Sequence, residues 1–416
     1  MSKSRIFSYE NLVMILMGLA FGFVFFDRLA LSFLAPFIVP ELHLNNTQLG
    51  MLASALALTW AIAGYGVGAL SDYLGNRKIL LVSAIVIFSA CSVISGLATS
   101  FLTLLGARLV MGLAEGPVLP IAQSIMAAES SEHRRGFNMG VLQNFLSSLL
   151  SYFAAPLVLV AIGAAYGWRE AFYFAGIPGF VVAFLIALFI REPKAMVLAA
   201  AHGGNATNTI PLTKMLGFRN IWICTIISCL MIAWLLIQLT FLPIYLVQTR
   251  GLSPGEMSIA LSALGVAATI SSIVVPALSD RCGRRPILTL FAFVGVLSPV
   301  TTVLFSGPLV VMVLLIGVGF LAIGCFSLFM ATVPSETIPP AYVATALGFI
   351  MGVGEVAGGV AGPGLAGLAA DAFGVSTPMW IAAVLGVGAG LFCLMLDETA
   401  PRVVGKLKPV QAASAA

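Results

Sequence analysis

Twelve apolar stretches, each long enough to cross a bilayer and each parted from the next by a short polar joint, run the length of this chain. A hydrocarbon core is spanned by about 20 apolar residues in a helix. Helices satisfy their own backbone polar groups in lipid, so a helical membrane bundle is the architecture such a pattern permits. The spans fall at approximately 11–39, 48–70, 79–98, 101–127, 136–163, 170–190, 220–248, 254–278, 287–305, 309–333, 341–368 and 376–396. At about 22 residues each they use about 264 positions, which leaves too little for a separate soluble domain. Composition agrees: 9% of residues are charged, where a soluble globule has about a quarter, and the mean hydropathy is +1.08.

Charge placement sets the orientation. With the N-terminus inside, sixteen of the basic residues outside the spans are cytoplasmic, and only Arg169 and Arg250 face the other side. By the positive-inside rule both termini are cytoplasmic, and the expected location is the cytoplasmic (inner) membrane. Lys3 and Arg5 precede the first apolar run, but that run is too long for a signal peptide and is read as a retained helix. A net charge of +4 is too small to suggest nucleic acid. The six cysteines are scattered without CxxC spacing and read as small core hydrophobes. His43, His133 and His202 all fall in expected loops, which excludes an intramembrane histidine relay. No catalytic or metal-binding arrangement emerges, so an enzyme is not expected, and neither is a cofactor beyond a coupling proton.

The chain is internally repeated. GALSDYLGNRKIL from Gly68 and PALSDRCGRRPIL from Pro276 share eight of 13 positions at an offset of 208 residues, half the chain. Both lie between the second and third spans of a six-span half. Six helices per half makes the repeats parallel, with a site expected between them at the midplane. The expected division is 1–190, a cytoplasmic linker at 191–219 rich in Gly, Ala, Asn and Thr, a second bundle at 220–400, and a tail at 401–416. Asp72, Arg77, Arg134, Asp280 and Arg285 stand at cytoplasmic helix ends, where carboxylate–guanidinium pairs can lock two bundles until they separate. The alternative is topogenic charge with no gating role. The duplicated loop resembles the G-x-L-x-D-x-x-G-x-R-[KR] signature of the major facilitator superfamily, with Pro276 replacing the first glycine of the second copy. The resemblance implies two pseudo-symmetric six-helix bundles and says nothing of substrate.

Five ionisable residues stand inside spans, where each is costly and marks a functional site by default: Asp27, Arg28, Arg108, Glu115 and Glu355. Counting about 1.5 Å per residue, Asp27 lies about 18 Å and Glu115 about 21 Å from the outer helix ends, with Arg108 about 10 Å in. Arg108 and Glu115, seven apart, share a helix face two turns apart. Asp27 and Arg28 point about 100° apart, so one can face the fourth helix and the other the central cavity. Burial disfavours an ionised carboxylate and a nearby guanidinium favours it, so a proton can load or leave as the surroundings change. Arg28 is therefore assigned to the substrate anion, Asp27 and Glu115 to proton coupling, and Arg108 to holding one of those carboxylates. A static ion-pair network that fixes helix register is the competing reading.

FFDRLALSFLAPFI, RLVMGLAEGPVLP, FLPIYLVQTRGLS and the PSET run at Pro334 are similar to segments of the anion:cation symporters. That resemblance implies that Asp27, Arg28, Arg108 and Glu115 couple protons to organic anions. Sugar-acid members carry a tyrosine and an asparagine where this chain has Phe25 and Glu355, which points to a smaller or more apolar acid. Glu355 is expected to take a second proton or a substrate amine, or else to pair with a polar neighbour. Trp60, Tyr65, Gln143, Asn144, Trp234 and Gln238 are further cleft candidates, with Gln143 and Gln238 favoured as amides able to orient a ligand. The Gly-rich run from Gly352 lacks a following lysine and reads as close helix packing.

The sequence is thus read as an all-α, twelve-helix importer that carries a small organic anion with protons by alternating access, a monomer whose partners are solute, protons and lipid. A lipid carrier of the spinster type stays open, since such proteins also resemble this charge pattern. A drug/proton antiporter is the other alternative, although the fifth span lacks the Gly-Pro-Gly motif of exporters. A nutrient sensor on a transporter fold ranks last, because only 20 residues follow Leu396.

Overall fold

The computed structural model describes residues 8–74, 76–131, 134–192, 217–339 and 343–404, leaving aside the side chains of 65–74, 135, 136 and 344. Among these residues twelve helices are long and apolar enough to cross a membrane. They are α1 (Tyr9–Glu41), α2 (Asn46–Leu74), α3 (Arg77–Gly96), α4 (Phe101–Glu129), α5 (Phe137–Ala165), α6 (Trp168–Phe189), α7 (Arg219–Gln248), α8 (Pro254–Cys282), α9 (Arg284–Leu304), α10 (Leu309–Thr337), α11 (Thr345–Phe373) and α12 (Thr377–Leu394). The sequence offset recurs in the backbone: α2, α4 and α5 begin and end 208 residues before α8, α10 and α11.

The chain divides into two compact units, Met1–Ala206 with Pro243–Gly265, and Thr207–Leu242 with Val266–Ala416. This division cuts α7 and α8, whereas the sequence reading places its boundary at 220. Most of the expected linker, 193–216, and the tail from 405 lie outside the described residues.

In the first unit α3 packs along α6, α2 along α4, and α1 against α4, α5 and α6. The α2–α4 contact depends on glycine. A Cβ at Gly112 would strike Thr59 and the Leu56 carbonyl, and one at Gly116 would strike the backbone of Trp60 and Gly64. The small-xxx-small spacing lets two backbones approach in lipid, where no hydrophobic force drives helices together. Glu115 ends the first segment of α4 before the break at Gly116 and Pro117. At the C-terminal end of α1, Glu41 accepts from Trp168 Nε1 at 2.6 Å and pairs with Arg169, tying α1 to α6.

Wider, π-type turns interrupt α5 at Val141–Phe145 and Leu149–Ala154, α10 at Leu328–Thr332 and α11 at Glu355–Val360. Such turns shift side chains around a helix and concentrate at functional sites. Two of them carry candidate residues, Gln143 and Asn144 in α5 and Glu355 in α11.

Candidate functional site

The expected site residues fall into two sets, one in each unit. In the first unit, Asp27, Arg108 and Glu115 are 0%, 1% and 0% exposed. They lie within electrostatic reach of one another, and Arg28 is within reach of Arg108 and Glu115. Asp27 turns toward α3, where its Oδ1 is 2.7 Å from the Ser92 hydroxyl. That hydroxyl is also 3.0 Å from the Phe172 carbonyl of α6.

Arg108 does not hold either carboxylate as the sequence reading expects. Its Nη1 donates to the Arg28 carbonyl at 3.2 Å, with Met111 Sδ at 3.6 Å, and its guanidinium lies 5.7 Å from the Phe172 ring centroid. Nε and Nη2 of Arg108, both oxygens of Glu115 and Oδ2 of Asp27 are buried without a hydrogen-bond partner among the described residues. The physical reason lies in reach. The α1 backbone stands nearer the guanidinium than the side chains do, so Arg108 braces Arg28 of α1 through its carbonyl. What is left is a set of opposite charges held close, with no hydrogen bond joining Arg108 to either carboxylate.

Arg28 is half-buried, with its guanidinium 5.6 Å from the Phe25 ring and 5.4 Å from the Trp60 ring. The two aromatic faces come from α1 and α2, and they favour the cation without consuming its donors. Trp60 Nε1 is a buried donor with no hydrogen-bond partner among the described residues. Three of the sequence candidates, Phe25, Arg28 and Trp60, are thus brought together. The side chains of Tyr65 and Asp72 lie outside the described residues.

The amide candidates fare differently. Gln143 is exposed and accepts from Gln123 Nε2 at 2.9 Å, so the expectation of a buried, unpartnered amide does not hold there. Asn144 beside it is half-buried. In the second unit Gln238 matches the expectation in part: it is 0% exposed, its Oε1 accepts from Ser298 at 2.6 Å, and its Nε2 is unpartnered. Trp234 is a packing residue, fully buried with Nε1 donating to the Gly295 carbonyl at 3.1 Å and its ring against Phe320. Glu355 is buried at the head of its π-type turn and packs over Gly359, where a Cβ would crowd its carboxyl.

At the helix ends around the duplicated loop the structure moves one assignment. Asp280 pairs at 2.5 Å with Arg284, which also holds Glu336 at 2.9 Å and Ser279 at 2.7 Å. Arg285, the residue the motif singles out, is exposed and offers its backbone N–H to Glu398. Arg134 donates to Asn11 at 2.8 Å and lies 3.9 Å from Glu10, itself bound by Asn138 and Ser131. Glu192 accepts from the N–H groups of Arg77 and Lys78 at 2.9 Å each, and Glu398 from those of Arg284 and Arg285 at 2.7 and 3.1 Å. Sequence reasoning missed Ser92, Arg284, Glu192 and Glu398. The two caps leave a signal, since each is a glutamate a few residues past the last apolar stretch of its half.

Residues 17–361 match the Major Facilitator Superfamily. The chain belongs to that family. It is an integral membrane transporter rather than an enzyme. Among similar proteins, a probable sulfoacetate transporter of Cupriavidus necator is 27% identical across 93% of this chain and 94% of its own length. A probable 4-methylmuconolactone transporter of Cupriavidus pinatubonensis is 28% identical across 89% and 84%. The crystal structure of a bacterial homolog of the human lysosomal transporter spinster, inward-facing and unoccupied, superposes with a TM-score of 0.77 at 19% identity, covering 94% of this chain and 97% of that one. A likeness at that identity speaks for the fold, so the major facilitator architecture expected from the duplicated loop stands.

Proposed function

We propose that this transporter takes up a small organic anion together with protons, by alternating access, across a cytoplasmic membrane with both termini inside. The observation that carries the reading is the first unit's charge cluster: Arg28 presented between Phe25 and Trp60, backed by Asp27 and Glu115 buried with unpartnered carboxyl oxygens. Arg28 binds the anion, since a guanidinium keeps its charge and offers a planar fork of donors. A carboxylate without a donor in a dry site is costly to hold, and taking up a proton removes that cost. Asp27 and Glu115 are therefore the groups whose proton occupancy follows the surroundings as the site opens and closes. Arg108 keeps the region cationic and anchors Arg28 through its carbonyl. The similarity to probable transporters of sulfoacetate and 4-methylmuconolactone supports an organic anion as substrate. Phe25, apolar where a sugar-acid carrier has a hydroxyl, supports a solute with few hydroxyl groups.

Glu355 serves as a further proton or amine site in the second unit, with Gln238 as an orienting amide. The pairs of Arg284 with Asp280 and Glu336 and that of Arg134 with Glu10, and those expected at Asp72 and Arg77, form and break as the transporter cycles.

Uptake into proteoliposomes tests the reading, with labelled sulfoacetate, a simple dicarboxylate and a lysolipid as solutes. An inward proton gradient should accelerate accumulation of an organic acid, and a protonophore should abolish the gain. Equal uptake with and without the gradient contradicts symport, and transport of the lysolipid alone moves the protein to the lipid carriers.

A further inference from the structure

Ser92 occupies a position that the proposed mechanism does not yet use. It sits on α3, 0% exposed, with one hydroxyl hydrogen and two acceptors within reach, Asp27 Oδ1 on α1 at 2.7 Å and the Phe172 carbonyl on α6 at 3.0 Å. A serine hydroxyl donates one hydrogen bond and can accept others. It cannot satisfy both oxygens at once.

We propose that Ser92 is a positioning residue that reads whether Asp27 carries a proton and passes that state to the backbone of α6 at Phe172. This inference rests on the proton-coupling reading of Asp27 given above.

While Asp27 is ionised it can only accept, and a hydrogen bond to a charged acceptor is roughly twice as strong as one to a neutral carbonyl. The Ser92 hydrogen then points to Asp27, and α6 receives nothing from it. When a proton binds Asp27 the carboxylic acid becomes a donor. Its O–H donates to Ser92 Oγ, and the hydrogen of Ser92 turns to the Phe172 carbonyl. No covalent bond other than the O–H of the incoming proton forms, and none breaks. One proton reverses the direction of a two-bond chain and adds a hydrogen bond from α3 to α6.

Phe172 is well placed to make that change felt. Its ring lies under the Arg108 guanidinium at 5.7 Å, and Arg108 donates to the carbonyl of Arg28. One turn toward the outer face, Trp168 packs edge-on against the same ring and donates to Glu41. The residue that feels the proton on Asp27 is thus in contact with the brace of the anion-binding arginine and with the outer clamp of α1. The ionisable groups within electrostatic reach of Asp27 are Cys91 of α3 and Arg108 and Glu115 of α4. None of them replaces the serine, because the Ser92 hydroxyl is the hydrogen-bond partner of Oδ1, while Oδ2 is unpartnered. Ser89, one turn away on α3, is also 0% exposed, but its hydroxyl has no partner, which makes it a natural control.

The test compares the full-length protein with Ser92→Ala, Ser92→Thr and Ser89→Ala in two measurements. The first is infrared difference spectroscopy on acidifying the purified protein, with the carboxylic C=O band of Asp27 identified by its loss in Asp27→Asn. Ser92→Ala should move that band to higher frequency, because the acid has lost its partner, while Ser92→Thr and Ser89→Ala should leave it in place. The second is transport of labelled sulfoacetate or dicarboxylate. Gradient-driven accumulation should fall about tenfold in Ser92→Ala, the equivalent of losing one charged hydrogen bond, while solute exchange without a gradient falls far less. Ser92→Thr should restore accumulation. An unmoved band in Ser92→Ala, the absence of an Asp27 band on acidification, or equal loss of exchange and accumulation without rescue by threonine each overturns the relay. If uptake by the unmodified protein ignores the proton gradient, symport itself fails, and the infrared result still decides whether Ser92 follows Asp27.

Discussion

The two repeats keep the same ends and differ in the middle. At one end of each, a glutamate past the last apolar helix caps the third helix, Glu192 over Arg77 and Lys78, Glu398 over Arg284 and Arg285. Midway through the membrane the likeness stops. Moving 208 residues on from Asp27, Arg28, Arg108 and Glu115 reaches Leu235, Leu236, Ile316 and Ile323, all aliphatic. The reverse step from Glu355 reaches Ser147, whose hydroxyl bonds to its own helix. A duplicated scaffold has therefore kept the caps that set helix ends and placed its buried charge almost wholly in one copy. Selection for folding acts on the ends, where every helix must satisfy its first N–H groups. Charge in mid-membrane is costly and persists where it does something.

The largest effect that would sharpen this contrast is at Arg28. Arg28→Ala should weaken binding of the transported acid by about a hundredfold or more, the scale of losing a charge-assisted fork of hydrogen bonds. Leu236→Ala, at the matching place in the other repeat, should change affinity by less than about threefold, within the range of an ordinary apolar truncation. Ligand-dependent thermal shift of the purified protein measures both, since a ligand that binds the folded state raises its stability. Comparable losses in the two variants would mean that the solute is held symmetrically and that the asymmetry of charge is structural.

A smaller effect is expected at Glu115. Glu115→Gln keeps the shape and removes the proton site, so exchange of solute should persist while accumulation against a gradient falls by at least about tenfold, as expected when a coupled equilibrium loses its driving ligand. Glu355→Gln should leave accumulation standing and alter its pH profile or its preference among acids. Accumulation by Glu115→Gln equal to that of the unmodified protein would end the coupling role of α4.

Much of this was legible before any coordinates. Span lengths, the duplicated loop and the four charges on the first and fourth helices follow from rules about lipid that leave few solutions. Which atoms meet did not follow. Arg108 and Glu115 share a face, but whether a guanidinium reaches a carboxylate or a backbone carbonyl depends on the ångström-scale spacing of α4 and α1. Ser92 could not be told from Ser95, which merely bonds back to the Cys91 carbonyl of its own helix. Serines in apolar helices usually do the latter. Trp234 and Gln238, four apart on α7, are both cleft candidates in the sequence, with the amide favoured. Only packing shows that the indole is spent on Gly295 while the amide keeps a free N–H pair.

The smallest expected effect tests the half of the comparison that treats the repeats as equal. Glu192 and Glu398 each meet two N–H groups at the start of a helix, and removing a capping acceptor costs about 1 kcal/mol. Were the caps identical in role, Glu192→Ala and Glu398→Ala would lower thermal stability alike. Among the described residues their surroundings differ. Glu398 also accepts from the N–H groups of Thr399 and Ala400, at 3.1 and 2.9 Å, and so folds its own segment back over the helix end. Beside it, Thr399 donates to Glu336, the partner of Arg284. Losing Glu398 therefore frees four backbone donors and loosens a neighbouring ion pair, where losing Glu192 frees two donors among the described residues; on that count it should cost about twice as much, about 2 against about 1 kcal/mol on the capping scale. Unfolding of the detergent-solubilised variants by heat, followed through tryptophan fluorescence, ranks the two. Equal losses would mean that the extra bonds of Glu398 are balanced by solvent. A larger loss at Glu192 would place the stronger latch in the repeat that also holds the charges, and make that end, rather than the second, the more tightly built of the two.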